Sequence, residues 1–271
     1  MQSLTDRLAL LRNRARARRI GVADFLHHAA IDDVKDRIQM VNKSFTAPCV
    51  VSGFPDLWAN AIPGARLVDD TDTLDLAPGS CDLIVHAMAL HWASDPVGQL
   101  IQCRRALRPD GLLIAVALGG QTLHELRACL AEAEIAQRGG LSPRVAPMGE
   151  VRDLGALLQR AGLSLPVADT LPLRAIYPDA LRLMADLRAM GEANAMTDRV
   201  RHFTARGVLT DAAARYAQAY RAPEGGVVAT YELIVLTGWA PDASQPQPLR
   251  PGSATARLAD ALGTDETKLQ D

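Results

Sequence analysis

Two mainly apolar runs most constrain what this chain can fold into: Asp82-Leu83-Ile84-Val85-His86-Ala87, and Leu112 to Leu118. A strand with one wet face alternates apolar and polar residues. A run apolar throughout is covered on both faces, as in a parallel sheet between helices. Turn residues precede each run, Pro78-Gly79-Ser80 before the first and Arg108-Pro109-Asp110-Gly111 before the second. Ala47 to Ser52 is a third such run, bounded by Pro48 and Gly53. These three are expected as adjacent inner strands. Ala229 to Thr237 returns to strand character late in the chain and is expected antiparallel, near one edge.

Helical spacing fills the intervals. It appears from Asp24 to Val41, with Phe25, Ile31, Val34, Ile38 and Val41 on one side, briefly from Asp56 to Ala61, and from Pro96 to Leu107. It continues at Thr122–Gln137, Val151–Ala161, Tyr177–Gly191 and Thr210–Tyr220. The pattern reads as N-terminal helices over residues 1–45 and an α/β domain over 46–240. A helical cap at about 120–225 interrupts that domain, and a loosely held tail follows over 241–271.

Composition limits the function classes. The 271 residues carry 29 Lys and Arg against 31 Asp and Glu, so no overall positive field favours nucleic acid. Aromatics at 4% argue against a base-stacking platform. Cys49, Cys81, Cys103 and Cys129 form no Cys-x-x-Cys pair. Without a signal-peptide pattern they read as reduced thiols in a cytoplasmic protein. No apolar run approaches the roughly 20 residues of a spanning helix. From Met1 to Ile20 there are six arginines and one acid. That stretch reads as a solvated helix packed by Leu4, Leu8 and Leu11. The alternative is a transit peptide or a membrane-surface helix, peripheral to the inner membrane.

Two levels of resemblance enter here. Cys81 to Trp92, followed by a helix and Leu107-Arg108-Pro109-Asp110-Gly111, resembles the fourth and fifth strands of S-adenosylmethionine-dependent methyltransferases. Similar stretches occur in enzymes of biotin synthesis and trans-aconitate methylation. More specific blocks are Gly119 to Arg127, Gly139 to Arg144, Asp153 to Gly162, Met184 to Asn194, Ala229 to Glu232 and Gly252 to Thr255. These resemble the mitochondrial complex I assembly factor 5 family and its bacterial relatives, over Asp6 to about Leu258. The resemblance implies a methyltransferase-type, seven-stranded, mostly parallel sheet with an antiparallel last strand. It implies a role in maturing respiratory NADH dehydrogenase and S-adenosylmethionine as the family cofactor. It also implies a complex I subunit carrying exposed arginine as partner, and the mitochondrial member is linked to hydroxylation of such an arginine.

The cofactor half departs from that pattern. A Gly-x-Gly-x-Gly turn normally follows the first strand, because any Cβ there blocks the cofactor's approach to the backbone. Here the turn reads Ser52-Gly53-Phe54-Pro55-Asp56. Val51 and Asp82 are 31 positions apart, room for about one strand–helix–strand unit of roughly 30 residues rather than two. The half is shortened, and the strand whose end supplies the acid for the ribose has no room.

The candidate site residues follow. Ser52, Gly53, Asp69, Asp70, His86 and Trp92 are the cofactor-side candidates, and His86 and His91 the catalytic ones. Asp69 and Asp70 align with the acid that contacts the adenine amino group in relatives. From Leu67 to Cys103 there are six aspartates and no Lys or Arg. That stretch reads either as a solvated acidic loop or as a negative mouth for a cationic group. No metal-ligand pattern of the His-x-Asp…His kind stands out. Three functions stay open: a complex I assembly factor with a degenerate cofactor site, an active methyltransferase, and an arginine hydroxylase.

Overall fold

The computed structural model describes residues 4–246 and 258–264. The Gly252 to Thr255 block and most of the expected loose tail lie outside the described residues. Among the described residues six strands form one sheet: β1 (Pro48–Ser52), β2 (Arg66–Asp69), β3 (Cys81–Ala87), β4 (Leu107–Leu118), β5 (Ser164–Tyr177) and β6 (Val227–Trp239). Their order is β2-β1-β3-β4-β6-β5. The three apolar runs are neighbours, β1 parallel to β3 and β3 parallel to β4. β6 alone runs antiparallel to its neighbours, pairing β4 on one side and β5 on the other.

Helices cover both faces, as strands apolar on both sides require. One face carries Val50, Leu83, Val85, Leu112 and Ile114. It packs on α2 (Phe25–Met40), α5 (His124–Arg138), α7 (Ala180–Ala189) and α8 (Arg206–Ala219) through Leu26, Leu126, Leu183 and Ala212. The other face carries Cys49, Val51, Ile84, Leu113 and Ala115, packed on α4 (Pro96–Ala106) and α6 (Val151–Arg160) through Leu100, Cys103 and Leu158. A small separate unit beyond Asp242 holds the short α9 (Leu258–Leu262).

Four expectations are corrected. The sheet has six strands among the described residues rather than seven: the four-residue α3 (Pro55–Trp58) leads from β1 to β2, and residues 70–80, between β2 and β3, form no further strand. β2 occupies the place beside β1, paired over Cys49–Ser52 in parallel, so a second strand does fit, shortened to four residues. β5, which forms the edge beyond β6, interrupts the expected run of cap helices. Last, α1 (Arg7–Ile20) does not pack through Leu4, Leu8 and Leu11, which are 71%, 65% and 45% exposed. It buries Ala9, Leu10, Asn13, Arg14 and Ala17 instead. Asn13 donates to the Ala193 carbonyl and Arg14 reaches Asp70, and these two anchors turn the leucine face outward.

Candidate functional site

The carboxyl ends of β1, β2 and β3 meet α1 and the chain that follows α7. Parallel register sets Ser52 of β1 beside Asp69 of β2 and Ala87 of β3. Ser52 is fully buried, and its Oγ accepts a hydrogen bond from the Phe54 amide at 3.1 Å. The turn is therefore tied off within the chain.

Above the turn lies Arg14, 2% exposed. A Cβ built on Gly53 would come 2.1 Å from Arg14 Cζ, so the guanidinium fills the space that the glycine opens. Arg14 donates to Asp70 at 2.8 Å, Arg7 donates to the same oxygen at 2.8 Å, and Arg18 donates to the Gly53 carbonyl at 2.8 Å. Arg14 and Arg18 also stack over Phe54, at 5.9 and 5.1 Å from its centroid. Burial pushes the Asp70 carboxyl up, but Arg7 and Arg14 outweigh it and hold the group below the usual carboxylate range. S-adenosylmethionine approaching the backbone of this turn would meet that guanidinium, so the residues present do not fit the cofactor there.

The six aspartates do not form one mouth. Asp70 is buried and ion-paired, Asp75 pairs with Arg66, and Asp95 caps α4 by accepting from the Gly98 amide. Asp82 sits at the opposite end of the sheet, accepting from Thr46 and Ala47. Asp69 and Asp72 remain exposed, with no ion pair among the described residues.

The two histidines separate. His86 is fully buried on the α4 side of β3, with Nε2 2.6 Å from Gln99 Oε1, and burial holds its pKa down. It does not line the cavity described below. His91 and Trp92 lie together in a short 3₁₀ turn beyond β3. Trp92 Nε1 donates to Glu192 at 2.6 Å, and His91 Nε2 lies 3.2 Å from the same oxygen. Burial pushes Glu192 up, and the His91, Arg14 and Trp92 contacts more than reverse it, so the carboxylate stays ionised.

Trp92 and Glu192 form part of the wall of a cavity of about 660 Å³, between α1, α2, α5 and α7. The residues missed by sequence reasoning are Arg14 and Glu192. Glu192 lies within the Met184 to Asn194 block that carries the family resemblance. Other blocks meet beside it: Thr230 donates to Glu125, Leu123 N donates to the Thr230 carbonyl, and Asn194 donates to the Pro143 carbonyl. Among the described residues no group of three or more His, Cys, Asp or Glu is arranged to hold a metal ion.

Comparison with known proteins places this geometry. A methyltransferase-domain family model matches residues 23–115. The mitochondrial arginine-hydroxylase NDUFAF5 of Danio rerio is 34% identical over 82% of this chain and 69% of its own length. The Homo sapiens protein of the same name is 36% identical over 82% of this chain and 64% of its own. A malonyl-[acyl-carrier protein] O-methyltransferase of a Methylovorus species is 36% identical over 64% of this chain and 56% of its own. The chain thus spans about two thirds of the length of these two NDUFAF5 proteins. The expectation of a cytoplasmic chain, peripheral to the inner membrane, is overturned here, because the relatives that match over most of it are mitochondrial proteins. No helix among the described residues is long and apolar enough to cross a membrane.

Proposed function

The chain belongs to the NDUFAF5 family, methyltransferase-like assembly factors of complex I, and from that premise we propose that it helps mature the respiratory NADH dehydrogenase by binding a complex I subunit rather than by methyl transfer. The observation that carries this reading is the Arg14–Asp70 pair closed over Gly53. It replaces the open backbone approach of a cofactor site with a buried ion pair. The retained sheet then acts as a rigid scaffold that presents exposed groups at the ends of β1 to β3. Asp69 and Asp72 suit a subunit that offers arginine, since both are exposed and unpaired among the described residues.

Calorimetry with S-adenosylmethionine tests the first half of the proposal. Losing several cofactor hydrogen bonds of about 0.5–1.5 kcal/mol each would weaken a micromolar site about a thousandfold. No saturable binding is expected at micromolar concentrations, and a low-micromolar dissociation constant would overturn the reading. Capture of complex I subunits by an Asp69→Asn/Asp72→Asn variant, at two salt concentrations, tests the second half. Capture is expected to weaken with the substitution and with salt, because the Debye length shortens from about 10 Å at 0.1 M to about 3 Å at 1 M.

The name of the relatives, arginine-hydroxylase, supports a second reading, arginine hydroxylation. Incubation with a purified complex I subunit together with dioxygen and a two-electron reductant, the second oxygen atom leaving as water, followed by mass spectrometry of its arginines, tests it. One added oxygen on an arginine would establish the activity, and unmodified arginine would leave binding as the function.

A further inference from the structure

The 660 Å³ cavity lies within the size range of small-molecule sites. Its floor is apolar: Leu26, Leu118, Leu126, Met190 and Tyr231 line it, and all are buried. Its mouth is basic. Arg12 and Arg188 line it from exposed positions on α1 and α7, and neither forms an ion pair among the described residues. Arg16 lines it too, and its one hydrogen-bond partner among the described residues is neutral Asn13, at 3.5 Å. Two further lining arginines are already engaged, Arg144 with Glu134 and Arg199 with Asp6. The acid in the wall, Glu192, is engaged by Trp92 and His91. The site therefore combines an apolar floor with three cations that no carboxylate among the described residues balances.

We propose that this cavity binds an amphipathic anion, with an apolar chain on the floor and a carboxylate or phosphate head at the Arg12, Arg16 and Arg188 mouth. The proposal goes beyond the assembly role and uses a different surface from Asp69 and Asp72, so either can fail alone. An arginine side chain is disfavoured at this mouth, because three like charges would meet it. Met148, Met184 and Met190 in the wall let the floor adapt to chains of different shape.

The test is titration of the full chain with dodecanoate, dodecyl phosphate, dodecanol, acetate and inorganic phosphate, read by calorimetry and by intrinsic tryptophan fluorescence. Saturable binding of at least one dodecyl anion is expected, with dodecanol about tenfold weaker and the chainless anions not bound. The better of the two dodecyl anions identifies the head group. An Arg12→Gln/Arg188→Gln variant, altered only at exposed positions, should keep its melting temperature and lose most of the anion's advantage over dodecanol. A Met184→Trp variant should weaken all chain-bearing ligands together by narrowing the floor. Equal binding of dodecanol and the anions would overturn the proposal. So would equal binding of acetate or phosphate, undiminished binding by the arginine variant, or no saturable binding at all.

Discussion

Arg14 Nη1 lies 2.8 Å from Asp70 Oδ1, and the same guanidinium closes the space above Gly53. A helix near the start of the chain is thereby joined to the end of a strand 56 residues away, across the turn where the fold usually admits a cofactor. The neighbouring aspartate has no such partner, which separates two residues that look alike in sequence.

Asp70→Asn should destabilise the protein by about 3–5 kcal/mol, because it strands Arg14, 2% exposed, without its buried counter-charge. Asp69→Asn should change stability by no more than about 0.5 kcal/mol, since its side chain is exposed. Urea denaturation of the two single variants decides. Equal effects would mean that the buried pair contributes nothing particular.

Gly53→Ala should cost about 1–3 kcal/mol, because the new methyl displaces the guanidinium from its buried pairing with Asp70. The two positions should also be coupled. In a double-mutant cycle with Arg14→Met, the Gly53→Ala penalty should shrink by about 1 kcal/mol or more, since the shorter neutral chain can move aside. Additive effects would show that Arg14 does not occupy that space in solution.

The strands were legible where burial is two-sided. β1, β3 from Leu83 and β4 from Gly111 are buried at every position, and β6 buries Leu233 to Leu236 without a break. β5 was not, because it is an edge strand with one face wet, and Pro166 and Pro172 interrupt its pattern. β4 also begins earlier than expected, at Leu107. The turn read over residues 108–111 is taken into the strand, with Asp110 in the left-handed region at φ 57°. The site was half legible. The missing glycines in Ser52-Gly53-Phe54 marked the altered turn, but nothing local to Arg14 points to residue 70. Arginine at that position reads as solvated, and only the tertiary contact shows it buried.

Stability should fall in mildly acidic solution before the carboxylates titrate. His27 is buried with its Nδ1 accepting from Trp58 Nε1 at 3.1 Å, and burial lowers its pKa from 6.5 to about 4. Between those values the unfolded chain binds a proton that the folded chain refuses, so stability drops as pH falls from about 6.5 to about 4. The size is about 3 kcal/mol, and buried His86 acts in the same direction. His27→Gln keeps an acceptor for Trp58 without a titrating group and should flatten this limb in urea melts at a series of pH values. An unchanged limb would exclude His27 as its source. At lower pH, Glu134, held down to about 2 chiefly by Arg144, should sustain stability above its ordinary value of 4.5 and lose it toward 2.

Glu192 offers the last test, because its ionisation depends on donors that can be removed one at a time. Burial alone would raise its pKa, and His91, Arg14 and Trp92 hold it down, with the Trp92 indole at 2.6 Å. A carboxylate whose folded pKa is depressed adds stability above its unfolded value and loses it as pH falls through the folded one. Trp92→Phe keeps most of the aromatic volume and deletes the N–H. It should cost about 1–3 kcal/mol at neutral pH, the penalty for a buried acceptor left short of a donor. It should also move the acid-unfolding midpoint upward, since the protonated form becomes easier to reach. Glu192→Gln takes away the charge while leaving an oxygen for the indole. If Trp92 acts by stabilising the anion, the Trp92→Phe penalty should therefore be smaller when it is combined with Glu192→Gln. An equal penalty with and without Glu192→Gln would mean that Trp92 acts there only by packing.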